Sequence, residues 1–388
     1  MKSRVVAEGS TSHNRLRAFN WSFSLLVVIV LPFVVAIPLK PSVLGNSYTI
    51  GIGNVSEAIA WAVAVLGLNL LTGFNGQLSL GNSFFVGTGA YLTGIFVQTN
   101  HWSYISTLII VLPVCLIIGI IVGLPALRIQ GLYLAMVTFG LAAVFPTLMK
   151  IDQLDKWTHG SNGLRIESKL IPPDWMPIQG TLDLIRKIPI IGDWTGTEGF
   201  SSRQSQAIYA YFLLVIIAAA CFLLARNLIK SRPGRALIAI RDNEIGAEVS
   251  GINLSLYKAG AFGVSALLSG VAGTMLAMDK KFVSPDDMGI NFAIFLVVGL
   301  IVGGGANLKG SLIGGFAVIF VRQWASQTTE VPALGWGLSG PYGQMVLGIL
   351  LIALMFVMPG GIAAGLKKIR QRFYQIVPSS ERAVLREP

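Results

Sequence analysis

Between Gly67 and Gly94 the chain reads GLNLLTGFNGQLSLGNSFFVGTGAYLTG, in which seven glycines accompany Asn69, Asn75, Gln77, Ser79, Asn82 and Tyr91. Amides, hydroxyls and a phenol recognise a solute by hydrogen bonds and break no covalent bond. In an apolar setting they are costly unless they face a bundle interior or a water-filled route. Glycines among them permit a broken helix or close backbone contact. The chemistry on offer is passage of a small polar solute past these groups, set against plain helix packing around a turn. Glu57, beside Asn54 and Ser56, is either an intramembrane carboxylate on the same route or a group at the membrane interface.

A charged stretch stands apart from this polar one. SRPGRALIAIRDNEIGAEVSGIN, residues 231–253, follows one apolar run and precedes another. Pro233 and Gly234 are expected to end the preceding helix, and Gly251 to cap a new one over 236–250. Arg235, Arg241, Asp242, Glu244 and Glu248 exclude this helix from the bilayer, at about 2.5–3.5 kcal/mol each and roughly 13–17 together. Leu237, Ile238, Ile245 and Val249 cluster only loosely on one face, so the residues leave open which side a partner would grip.

Other chemistries find no support. GGGANLKGS at 303–311 is superficially like a phosphate loop, but Lys309 precedes Gly310 and the chain contains no Gly-Lys dipeptide. The nucleotide-cradling pattern GxxxxGK[ST] is therefore missing, and any ATP would be hydrolysed by another subunit. His13, His101 and His159 have no metal-ligand spacing, and no nucleophile constellation or paired acids suggest catalysis. Cys115 and Cys221 both fall in apolar runs, which argues against a disulfide. The expectation is no catalytic residue, no metal and no bound cofactor.

The elements that must position these residues are membrane helices. The 388 residues are 53% hydrophobic and only 12% charged, about half the charge fraction of a soluble protein. Long apolar runs exclude the alternating strands of a β-barrel. The expected fold is all-α and polytopic, with about ten transmembrane helices (eight to ten). They are placed at 21–37, 49–71, 79–97, 104–124, 131–149, 207–229, 258–278, 290–302, 311–325 and 343–358. The basic start followed by 21–37 is read as a retained span, since no small-residue cleavage signature precedes Pro38 and Pro41. Gly303, Gly304 and Gly305 form either a turn between two short spans or a break within one. Ala261, Ser265, Ser269, Gly273 and Ala277 recur every four residues as a packing ridge, and Gly119/Gly123, Gly299/Gly303 and Gly310/Gly314 carry the same meaning.

The net charge of +11 follows membrane topology and does not require nucleic acid. With the N-terminus inside, 18 Lys/Arg lie inside and 11 outside, even when the seven of the 150–206 connection are counted outside. This predicts a cytoplasmic basic tail at 1–20, a permease domain at 21–366 and a second cytoplasmic basic tail at 367–388. The 150–206 connection becomes a partly folded outer cap, and 231–253 lies in the cytoplasm.

GLNLLTGFNGQLSLG, GTGAY, GLYLAMVTFG, GSNGL, GRALIAIRDNEIGAEVSGIN, GGGANLKGSLIGG and MPGGI occur in this order between residues 66 and 362. Together they resemble the membrane permeases of branched-chain amino acid ABC importers. Departures from that pattern are Asn82 where His is usual in SLGH, THGSNGL in place of TGGSNGL, and GGGANLKGS in place of a loop with Leu-Gly. The resemblance implies transport of branched-chain or related amino acids across the cytoplasmic membrane. Its partners would be a second homologous permease, two ATP-binding subunits that use ATP and Mg, an extracytoplasmic solute-binding protein and the lipid bilayer. It assigns 235–251 as the coupling segment, with Arg235, Arg241, Asp242, Glu244, Glu248 and Gly251. A permease for urea, small amides or other small polar solutes is the alternative substrate class. A secondary transporter would need several intramembrane ionisable groups, and Glu57 is a lone candidate.

Overall fold

Small residues at every fourth position let one helix sit at the centre of the others. In the computed structural model, which describes residues 4–7, 51–126, 131–167, 170, 202–327, 348–349, 360–365 and 374–377, the central element spans Leu254–Lys280. The helices in chain order are α1 Ile52–Leu68, α2 Asn82–Asn100, α3 Tyr104–Ala126, α4 Leu132–Met149 and the short α5 Asp155–Thr158. They continue with α6 Ser202–Lys230, α7 Arg232–Asp242, α8 Glu244–Val249, α9 Leu254–Lys280, α10 Ile290–Gly303 and α11 Leu308–Gln327.

α9 packs against α1, α2 and α3, and most of its length is buried. Gly273 faces the backbone of Val86 and Ala90 in α2, and Gly89 of α2 in turn faces the backbone of Gly270. No Cβ fits at either position, so the two helices approach at backbone distance. α10 and α11 cross in the same way, with Gly303 against Gly310 and Gly314 against Gly299. Without a hydrophobic force between helices in lipid, such close packing is what holds a bundle together. The ridge expected from residue spacing is therefore a set of real helix crossings.

Eight of the ten expected spans have a matching helix, and those at 21–37 and 343–358 lie outside the described residues apart from 348–349. Among the described residues, five segments are long and apolar enough to cross a membrane: Ile52–Phe74, Tyr104–Pro125, Ser205–Lys230, Leu254–Lys280 and Asp286–Gly303. Gly304, at φ +96°, separates α10 from α11, so the glycine triplet is a turn between two helices. The described part of the 150–206 connection folds onto the bundle. Leu164 and Ile166 are buried, and β2 (Leu164–Arg165) pairs antiparallel with β3 (Phe282–Val283). His159, which departs from the usual glycine of that motif, sits at φ +55°.

Each tail carries a strand. β1 (Arg4–Ala7) runs parallel to β4 (Tyr374–Val377), in register from Arg4 opposite Tyr374 to Ala7 opposite Val377. β-Branched and aromatic residues at Val5, Val6, Tyr374, Ile376 and Val377 suit this pairing, which brings the two chain ends together.

Candidate coupling site and polar path

The charged stretch is two helices rather than the single one expected over 236–250. Ser231 caps α7, and Pro233 and Gly234 lie in its first turn, where a missing amide hydrogen costs nothing. Asn243 then takes an extended conformation (φ −159°, ψ 108°), and its Oδ1 accepts from the Gly246 amide at 2.9 Å. An Asn side chain that satisfies backbone in this way competes with helix continuation, so the rod breaks there. Gly251, at φ +83°, ends α8 as expected. Its amide donates to the Glu248 carbonyl and that of Ile252 to the Ala247 carbonyl.

The two helices differ in what they bury. Ala236, Leu237 and Ile240 of α7 face inward, and Leu237 joins Leu71, Leu134, Ala261 and Phe262 in a small apolar cluster. This cluster ties α7 to the end of α1, to α4 and to α9. In α8 Ala247 turns inward, while Ile245 and Val249 remain 75% and 83% exposed. The face left open by residue spacing is thereby defined: α7 is anchored, and α8 presents two aliphatic side chains outward.

α7 also reaches the polar stretch. After Leu68 the first span winds into a π-helix, Asn69–Phe74. Arg241 donates from Nη1 to the Gly73 carbonyl at 3.2 Å, its stem lies against Gly76 (φ +77°), and its guanidinium pairs with Asp242 at 2.8 Å. Thr72 donates to the Gln77 carbonyl and Asn75 to Gln77 Oε1 at 2.8 Å. Asn69 Nδ2 donates to the Asn307 carbonyl and Ser311 Oγ at 2.9 and 2.8 Å, and its Oδ1 accepts from the Ala306 amide at 2.8 Å. The first span is thus clasped to the glycine-rich turn between α10 and α11, on which Gly361 of the MPGGI segment also packs.

Replacing the buried Asn69 with Leu strands the buried Ser311 hydroxyl and takes the side-chain acceptor from the Ala306 amide. It is expected to destabilise the purified protein by roughly 2–4 kcal/mol, read from its thermal unfolding in detergent.

Close by, Asn82 Nδ2 donates to both Ser265 and Ser269 at 2.9 Å, and Ser265 donates to the Gly67 carbonyl on the first span at 2.7 Å. Asn82 Oδ1 accepts from Ser79 at 3.4 Å, and the Leu80 amide donates to Thr138. This node joins α1, α2 and α9 through groups that are all buried. Ser265 and Ser269 were expected only to pack. Their partnership with Asn82 spans more than 180 residues and has no local signal. A further buried chain, Thr107 to Thr93 to Thr274, is equally invisible in the linear sequence.

The candidate path residues fall into two groups. Asn69, Asn75, Gln77, Ser79 and Asn82 gather towards the end of the bundle that carries α7 and α8. Tyr91 and Glu57 lie towards the other end, where Tyr91 donates to the Val283 carbonyl at 3.5 Å. Glu57 is 15% exposed and ion-pairs with Lys280 at 2.8 Å, with Arg322 at 4.0 Å. It joins α1, α9 and α11 at that end. Glu244 turns inward to Lys258, 2.7 Å away, whose side chain is 4% exposed.

Residues 50–355 match the family described as branched-chain amino acid transport system / permease component. The high-affinity branched-chain amino acid transport system permease protein LivM of Escherichia coli (strain K12) is 25% identical over 345 residues, 87% of this chain and 74% of that protein. LivM of Salmonella typhimurium (strain LT2) is 25% identical over 304 residues, 76% of this chain and 66% of that protein. A shorter stretch of 109 residues is 28% identical to the ribose import permease protein RbsC of Haemophilus influenzae, covering 26% of this chain and 33% of that protein. No solved structure matches. With the family pattern covering most of its length and a helical bundle built from those same motifs, the chain belongs to the membrane permease subunits of the branched-chain amino acid ABC importer family.

Proposed function

We propose that this chain forms, with a second homologous permease, the membrane path of an ATP-driven importer for branched-chain or related amino acids. Two separate ATP-binding subunits hydrolyse ATP with Mg, and an extracytoplasmic solute-binding protein delivers the solute. The observation that carries this reading is the exposure of Ile245 and Val249 on a segment too charged to enter lipid. Exposed aliphatic side chains bordered by charge are the surface that a protein partner covers. The ATP-binding subunits dock on α8, with Glu248 at the contact. Arg235, Arg241, Asp242, Glu244 and Gly251 hold the segment in shape. The charge bias places this end in the cytoplasm, and pairing of the tail strands supports both termini lying on one side.

The solute path runs between the two polar groups. Asn75, Gln77, Ser79 and Asn82 line its inner end, Asn69 holds that end together, and Tyr91 and Glu57 stand towards its outer mouth. Uncharged polar groups and backbone dipoles suit a zwitterionic head group, and the surrounding apolar surface suits an aliphatic side chain. The permease names of the two longest relatives support amino acids, whereas that of the ribose relative keeps other small polar solutes in view.

The test is uptake of labelled leucine, isoleucine and valine by proteoliposomes holding this permease, its pair and their ATP-binding subunits, with the binding protein outside. Uptake that needs ATP and all subunits is expected. Uptake by this chain alone without ATP would establish a secondary transporter. ATP-dependent uptake of urea or ribose, but not of leucine, would overturn the substrate assignment.

A further inference from the structure

α8 is a short helix set off by a break at each end. Asn243 breaks the chain before it, and Gly251 turns the chain with a left-handed backbone after it. Of its own side chains, Ala247 is the buried one. A cleft of about 410 Å³ opens between α8 and the start of α9, lined by Glu248, Gly251, Asn253 and Lys258 among others. α8 is therefore not packed tightly along its length against the start of α9. Among the described residues an ion pair joins the two, between the Glu244 carboxylate at the start of α8 and the Lys258 ammonium one turn into α9, at 2.7 Å.

Lys258 is an unusual residue to bury, and its neighbours Ala259, Ala261 and Phe262 are apolar. An ammonium in such a place persists where a carboxylate neutralises it, so the position of Glu244 and that of α9 are linked by charge. α9 carries 27 residues, about 40 Å of rod. Midway, Ser265 and Ser269 hold Asn82 and the Gly67 carbonyl, and at the far end Lys280 pairs with Glu57. α9 thus connects the near end of the bundle to the polar groups and to the opposite end through direct contacts.

We propose that the Lys258–Glu244 ion pair is the joint through which movement of α8 is passed to α9, which makes Lys258 a positioning residue for coupled transport. The inference rests on the docking of ATP-binding subunits at α8 and adds the internal route by which their motion travels. It also gives Glu244 a different task from Glu248: the former pairs with Lys258 of α9, and the latter is exposed at the rim of the cleft.

The test uses the full complex, with Cys115 and Cys221 replaced by Ala and one cysteine introduced by Gln98→Cys in the exposed last turn of α2, towards the far end. The readouts are ATP hydrolysis and the change in labelling of that cysteine by a soluble maleimide when ATP and vanadate are added. In the parent complex ATP and vanadate alter the labelling rate. Lys258→Met is expected to leave hydrolysis running while labelling stays at its nucleotide-free rate. The exchanged pair, Lys258→Glu with Glu244→Lys, is expected to regain the response. Should Lys258→Met alone fail to fold, Lys258→Met with Glu244→Met removes the joint without leaving a buried charge, and the same loss of response is expected. A labelling response that survives either Met variant overturns the joint. So does loss of hydrolysis and response together in every variant, which is what a merely structural pair would give. A parent complex from which ATP-binding subunits are absent would instead overturn the docking reading.

Discussion

Replacing Ile245 and Val249 together with Asp is expected to release the ATP-binding subunits while leaving the permease folded. The two side chains are 75% and 83% exposed, so the folded chain loses almost no packing when they become charged. A partner that covers them loses two aliphatic anchors and must bury two carboxylates. If each anchor contributes about 2 kcal/mol, the pair lowers affinity by roughly 10³-fold, enough to abolish copurification. The measurement is recovery of ATP-binding subunits on the tagged permease, together with its elution profile and thermal unfolding. Leu237→Asp supplies the contrast. It places a carboxylate in the cluster of Leu71, Leu134, Ala261 and Phe262, so loss of folded protein is expected before any question of docking arises. If the subunits remain bound to the Ile245/Val249 variant, the docking face lies elsewhere.

A second large effect is expected within α9, where the same substitution at two glycines should act with opposite sign. A Cβ on Gly273 meets the Val86 carbonyl and the Ala90 amide, both backbone atoms that cannot turn aside. Gly273→Ala therefore forces α2 and α9 apart, at a cost of about 1–3 kcal/mol, and Gly273→Leu should prevent recovery of folded protein. A Cβ on Gly260 meets nothing within 4 Å. Gly260→Ala removes only the conformational freedom of a helical glycine and should stabilise by up to about 1 kcal/mol. Thermal unfolding of the two Ala variants in the same detergent decides the matter. Similar shifts for both would mean that α2 and α9 do not cross at Gly273.

These expectations draw unequally on sequence and structure. The helices of the bundle are legible because membrane spans are dictated by composition: a run of about 20 apolar residues must satisfy its own backbone hydrogen bonds, and a helix does so locally. The ridge from Ala261 to Ala277 is legible for a related reason, since a spacing of four places all its members on one side of a helix. The identity of the charged stretch as a separate element follows from the cost of placing its charges in lipid. Its interruption at Asn243 was missed, because an Asn within a run of helix formers reads as a small propensity penalty. The same side chain is also a preferred N-cap, and its local bond to the Gly246 amide competes with continuation of the helix.

The linear chain determined that this protein is a helical membrane bundle with a charged segment outside it, because hydropathy and charge act residue by residue. Partners were decided by the tertiary structure alone. That Asn82 is held by Ser265 and Ser269, that Asn69 clasps the turn at Ala306, that Glu244 meets Lys258 and that Glu57 meets Lys280 are all contacts between distant segments. Each is a hydrogen bond or ion pair effective over about 3 Å. Its existence depends on how helices cross, and it leaves no periodicity in the sequence.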